Sequence, residues 1–305
     1  MLNRSLLVCL LIALVVAFTV YSAFAVDSKA PEEHFIKFDG LERRYLLHLP
    51  PGWTKQSKAP VIIMLHGGGG TPEHTGAHEL DKYGDSKGFI IVYPEGLNRG
   101  WNDGRPIKDR TSDDVGFLSA LVDELVAKYN ADAKRVYSTG MSNGGFMSFT
   151  LACRIPDKIA AIAPVAGSMG LGAIEDCHPK RNIPVMMING TSDPLVKFEG
   201  GKVLRREGSE AEPIGKVVEF WRSQACGAAK PPIKFERLPD ADPNDGSTVE
   251  VERVKCPGGE VVNYTVKGGG HTWPGGVQYM PKFVVGSVNK DFSASAAIVE
   301  FFSTH

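Results

Sequence analysis

What the chain lacks narrows it first. Lys and Arg number 34 against 35 Asp and Glu, a net charge of −1. No excess of positive charge exists to capture nucleic acid, so that partner is excluded. No internal repeat, low-complexity segment or Pro/Ser/Thr linker divides the 305 residues, and 43% hydrophobic with 23% charged residues excludes a collagen-like or disordered chain. Cysteine is scarce, at five. A chain of this size buries its core without metal or a dense disulfide framework. No His or Cys spacing resembles a zinc site, and no cofactor is expected.

Long apolar runs are also scarce, and the one present is terminal. Arg4 precedes the run Leu6–Val20, which Ala23-Phe24-Ala25 follows. A basic start, an apolar stretch and an A-x-A site mark a secretory signal peptide, and the run is shorter than the ~20 residues a bilayer span needs. Residues 1–25 are therefore expected to be cleaved, and residues 26–305 to form a single domain, secreted or periplasmic, with no membrane partner. One basic residue and no acid leave with the leader, so the charge becomes −2. Without Cys9, four cysteines remain: Cys153, Cys177, Cys226 and Cys256. An even count in an oxidising compartment implies two disulfides, with three connectivities open.

Strand and helix patterns alternate along the rest. His34–Phe38 and Arg43–Leu49 read as an antiparallel pair around Asp39-Gly40. Val61–Leu65 and Phe89–Tyr93 are apolar throughout, as in strands buried on both faces of a parallel sheet. Val115–Tyr129 has helical spacing, with Asp113 or Asp114 to cap its start. Arg135–Thr139, Ile159–Val165, Pro184–Ile188 and Val261–Val266 read as further strands. Asn143–Ala152, Pro213–Gln224 and Asp291–Phe302 read as helices, and Ile233–Leu238 with Thr248–Lys255 as a hairpin. The expected fold is an α/β domain: a mainly parallel, doubly wound sheet with antiparallel N-terminal strands, flanked by helices.

Four motifs fall at strand ends. Gly140-Met141-Ser142-Asn143-Gly144 lies where a strand meets a helix, the position of a nucleophile elbow. Leu65-His66-Gly67-Gly68-Gly69-Gly70 follows the strand Val61–Leu65. Its glycines leave backbone N–H groups open to a developing oxyanion, with Gly68 and Asn143 the candidate donors. No Lys-Ser/Thr follows those glycines, which argues against a phosphate loop. Asp193 follows the strand Pro184–Ile188, and His271 follows Val261–Val266, completing the order Ser, acid, His. Trp101 and Trp273 lie in loops bordering this site and are candidate aromatic walls for an acyl group. His66 reads as structural, and Asp103, Asp113 and Asp114 precede Ser142, outside the expected order.

With these residues in place the chain resembles the secreted polyhydroxybutyrate depolymerase and feruloyl esterase family of α/β-hydrolases. The similar pieces include Leu65–Gly70, Tyr93–Gly96, Trp101-Asn102, Asp114–Phe117, Tyr137–Gly145, Ala161–Gly167, Gly190–Pro194 and Gly268–Gly276. The resemblance implies carboxylic-ester hydrolysis with Ser142 as nucleophile, Asp193 as acid and His271 as base, without metal or organic cofactor. Members that degrade solid polyester often carry a polymer-binding domain. This chain stops at His305, so the expected substrate is a soluble or oligomeric ester, or a feruloyl or acetyl group on plant polysaccharide. A serine peptidase of the same fold would usually carry a gating domain, and a non-catalytic polymer binder would lack a triad member. Cys226 ends a helix and Cys256 a hairpin, so a bridge between them would pin that excursion to the scaffold. Cys153 would then pair with Cys177, and the resemblance supports the same pairing.

Overall fold

The computed structural model describes residues 30–305, apart from 77–78, 109 and 205–207. The leader expected at residues 1–25 lies outside the described residues. Ala59–Leu65 (β3) shows how the sequence builds the sheet. Every residue of it is buried, and its side chains divide by alternation. Val61, Ile63 and Leu65 enter one core, Ile62 and Met64 the other.

Before β3 come Glu32–Phe38 (β1) and Leu41–His48 (β2), paired antiparallel. After it come Pro72–Gly76 (α1), Leu80–Asp85 (α2), Ile90–Pro94 (β4), Asp114–Tyr129 (α3), Ala131–Met141 (β5) and Asn143–Arg154 (α4). Then follow Ala161–Val165 (β6), Val185–Gly190 (β7), Gly201–Lys202 (β8), Glu210–Ala211 (β9) and Ile214–Cys226 (α5). Lys234–Arg237 (β10), Thr248–Cys256 (β11), Gly259–Lys267 (β12), Lys282–Val285 (α6) and Ala294–Ser303 (α7) complete the chain. Among the described residues ten strands share one sheet, in the order β1-β2-β4-β3-β5-β6-β7-β12-β11-β10. From β4 through β12 neighbouring strands run parallel.

The hairpin expected over Ile233–Leu238 and Thr248–Lys255 appears as β10 and β11, and β12 extends it. Besides β1 and β2, the far edge is an antiparallel β10-β11-β12 meander, because the two-residue turn Pro257-Gly258 returns the chain directly. Helices cover both faces. Phe117, Leu118 and Leu121 of α3, Met147 and Leu151 of α4, and Val217 and Trp221 of α5 fill one core. Leu80 of α2, with Ile298, Val299 and Phe302 of α7, fills the other. α3 starts at Asp113, whose carboxylate accepts from the Gly116 N–H at 2.8 Å. Disulfides join Cys153 to Cys177 and Cys226 to Cys256, the expected pairing. No described helix is long and apolar enough to cross a membrane.

Candidate active site

β5 ends and α4 begins within one residue, so the chain must turn sharply at Ser142. It does so at φ 56°, ψ −119°, a sparsely populated conformation for a residue with a side chain. The neighbouring glycines explain how the turn fits. A Cβ on Gly144 would stand 2.2 Å from the Leu65 carbonyl oxygen, and one on Gly140 would stand 2.6 Å from the same atom. The backbone of β3 thus passes too close for any other residue at either position. Ser142 stays partly exposed at the sheet's carboxyl end, its N–H bonded to the Val165 carbonyl of β6 at 2.9 Å.

Asp193 and His271 arrive from β7 and β12, which are neighbours in the sheet. His271 Nδ1 lies 2.7 Å from Asp193 Oδ2, and both residues are buried. The other carboxylate oxygen, Oδ1, accepts from the Leu195 and Val196 N–H groups, each at 2.8 Å. An acceptor-only carboxylate at Nδ1 sets the imidazole so that Nε2 is free to take a proton. His271 is fixed from its other side by backbone. Its N–H donates to the Val285 carbonyl at 2.6 Å, and its own carbonyl accepts from the Tyr279 hydroxyl at 3.0 Å. Asn189 of β7 donates to the Gly167 carbonyl at 2.9 Å. Among the described residues no hydrogen bond joins Ser142 Oγ to His271. Such bonds often tighten only with substrate present.

The glycine loop is ordered by its own bonds. Gly69 N–H donates to the Arg99 carbonyl at 2.7 Å, and Gly70 N–H to the Gly67 carbonyl at 2.9 Å. Gly68 N–H enters no such bond among the described residues. His66 braces the loop: Nδ1 donates to the Gly67 carbonyl at 2.8 Å, and Nε2 accepts from the Gly96 N–H at 2.9 Å. Burial, partly opposed by the Gly67 carbonyl, holds its pKa below the usual histidine value. The Gly96 bond requires a neutral ring, because only an unprotonated Nε2 can accept.

Trp101 and Trp273 require a correction. Both rings are enclosed, at 0% and 2% exposure, and have no surface with which to touch an acyl group. Trp101 donates its indole N–H to the His66 carbonyl at 2.9 Å, and Trp273 donates to Ser295 Oγ at 3.0 Å. Rings of this size are worth most inside a core, and being in loops beside the site did not prevent that. Asp103 and Arg105 went unassigned in the sequence. They form a buried ion pair at 2.5 Å against the first turns of α4. A cavity of about 220 Å³ lies beside them, lined by Phe146, Met169 and Leu171, and none of Ser142, Asp193 and His271 lines it.

A parallel sheet wrapped by helices, with a sharp strand-to-helix turn at its carboxyl end, defines an α/β-hydrolase. A solved acetyl xylan esterase from Aspergillus awamori has this fold, with a TM-score of 0.55 and 14% identity, covering 77% of this chain and 92% of that one. The chain belongs to the Esterase PHB depolymerase family, whose model matches residues 43–207. NocK from Nocardia uniformis subsp. tsuyamanensis, named as an esterase by inference, is 35% identical over 286 residues, 86% of this chain and 79% of that one. Feruloyl esterase D of Neurospora crassa is 28% identical, covering 76% of this chain and 75% of its own. Feruloyl esterase B of Piromyces equi is also 28% identical, over 75% of this chain and 42% of that longer protein. The chain is a carboxylic-ester hydrolase.

Proposed function

We propose that the chain is an exported serine esterase in which Ser142, His271 and Asp193 act as one unit. The observation that carries this is the pairing of two features at one end of the sheet. Ser142 is held at a strained strand-to-helix turn, and a buried imidazole beyond it is oriented by a carboxylate at 2.7 Å. In this reading His271 Nε2 takes the Ser142 proton as Oγ attacks the ester carbonyl. Asp193 keeps the tautomer and stabilises the imidazolium. The Gly68 and Asn143 N–H groups receive the oxyanion. The alcohol leaves with the proton from His271, and water then releases the acid from the acyl-enzyme. Every group is supplied by the chain.

The proposed substrates are soluble esters of the kind named in the relatives: feruloyl or acetyl groups on plant polysaccharide. Hydroxybutyrate-type oligomers are the second reading, supported by the family's name. Export is supported by the apolar N-terminal run and by two disulfides, which persist in oxidising compartments. The test of the chemistry is release of p-nitrophenol from a short-chain ester, expected to vanish in Ser142→Ala with the fold retained. Residual turnover in that variant would end the triad reading. Rates on methyl ferulate, acetylated xylan and hydroxybutyrate oligomers would then rank the substrates.

A further inference from the structure

Asn143 is expected to serve through its backbone, yet its side chain is the more heavily engaged part. Oδ1 accepts from the Trp101 N–H at 2.8 Å, and Nδ2 donates to the Trp101 carbonyl at 3.0 Å and to Asp103 Oδ2 at 2.6 Å. All three polar positions of the amide are filled, and the shortest bond is the one to the carboxylate, as charge-assisted bonds are. Asp103 is held in turn by Arg105, whose Nε and Nη2 meet its two oxygens at 2.9 and 2.5 Å. The guanidinium lies 3.5 Å over the Phe146 ring, three residues beyond Asn143 on α4. Thr150 on the same helix donates to the Asp103 carbonyl at 2.8 Å.

The Ser142–Asn143 peptide carries the proposed oxyanion donor on its nitrogen. At its oxygen the Phe146 N–H holds it, at 2.9 Å. The N–H itself belongs to the first turn of a helix and has no acceptor within it. On the nitrogen side, the tether is the Asn143 side chain. The residue before it sits in a strained conformation, so a loosened tether lets the peptide rotate towards a relaxed one. A buried ion pair is a poor device for stability alone, and here its carboxylate is aimed at the one side chain that orients the donor. We propose that Asp103 is a positioning residue for the oxyanion hole, acting through the Asn143 amide. This rests on the triad and oxyanion reading given above.

The test compares Asp103→Asn, Asn143→Ala, which keeps the backbone donor, and the two together. Each single variant should lower kcat by about 10²-fold, the cost of small misplacement at a reacting centre, with KM for a p-nitrophenyl ester near the parent value. Affinity for phenylboronic acid, whose tetrahedral adduct places an oxygen in the oxyanion hole, should fall in parallel. The double variant should be no slower than the worse single one, because both cut the same link. Thermal unfolding is followed throughout. Should Asp103→Asn unfold with Arg105 uncompensated, Asp103→Leu with Arg105→Met removes both charges and carries the same expectation. An unchanged kcat in folded variants, unaltered boronate affinity, or additive losses in the double variant would overturn the proposal. Ser142→Ala separates the two levels. If it stays active, the triad reading fails. If it is dead while the Asp103 variants turn over normally, only the positioning role fails.

Discussion

At the scale of single residues, the site rests on a few positions where one atom too many is costly. Gly144 leaves no room for a Cβ between α4 and β3. Gly144→Ala should therefore destabilise the fold by about 1–3 kcal/mol as overpacking does, read from urea unfolding, and should lower activity with it. Asp193→Asn tests a different thing. It should leave the fold intact and reduce kcat by about 10⁴-fold, because an amide facing Nδ1 favours the wrong tautomer. Asp114 offers no substitute, since it is paired with Arg43 at 2.8 Å and accepts from the Asn102 N–H at 2.7 Å. In the glycine loop the Gly69 and Gly70 N–H groups are committed elsewhere. Gly68→Val keeps the N–H but crowds the incoming carbonyl away from it, and should then cost about 10²–10³ in kcat, comparable to loss of an oxyanion donor, with little change in unfolding. The placement of Ser142, Asp193 and His271 just past strand ends was legible because each lies in a short motif after an apolar run. The bond from Asn143 to Asp103 was not, because it spans 40 residues and exists only once β5 has delivered α4 against the loop.

Elements were legible in proportion to the length of their pattern. The helix expected over Val115–Tyr129 appears as Asp114–Tyr129, because five buried apolar residues keep helical register and Asp113 caps it. The short pieces α1, α2, α6 and the β8–β9 pair were missed, since two to six residues carry too little periodicity to register. The two tryptophans show a different limit. A loop position says nothing of whether the ring faces a ligand or the core. Disulfides act at this scale too. Cys226–Cys256 fastens the end of α5 to the end of β11, closing 30 residues of chain, and β11 in turn pairs with β12, which leads to His271. Loop-closure entropy gives about 3–4 kcal/mol for such a bridge. Cys226→Ser with Cys256→Ser should lower unfolding free energy by that amount in urea. The loss should be nearly absent when parent and variant are compared under reducing conditions.

For the whole molecule, the pH dependence of stability joins the glycine loop to the fold as a whole. His66 is buried and its pKa lies below the ordinary value of 6.5, so at mildly acid pH the unfolded chain binds a proton that the folded chain refuses. Its contribution is fully present above pH 6.5. It is lost as pH falls from there through the depressed folded value. Asp81 works in the opposite sense. Burial raises its pKa, although the Tyr93 hydroxyl at 2.5 Å and nearby His48 partly offset this. Its penalty at neutral pH is relieved as the carboxyl protonates. The two effects overlap in acid, so the slope of the parent protein alone does not isolate either. Comparison with His66→Asn does, because Asp81 is common to both proteins. Unfolding free energy from urea titrations between pH 5 and 8 should fall more steeply towards acid in the parent than in His66→Asn. Parallel curves would show that His66 protonates as readily folded as unfolded.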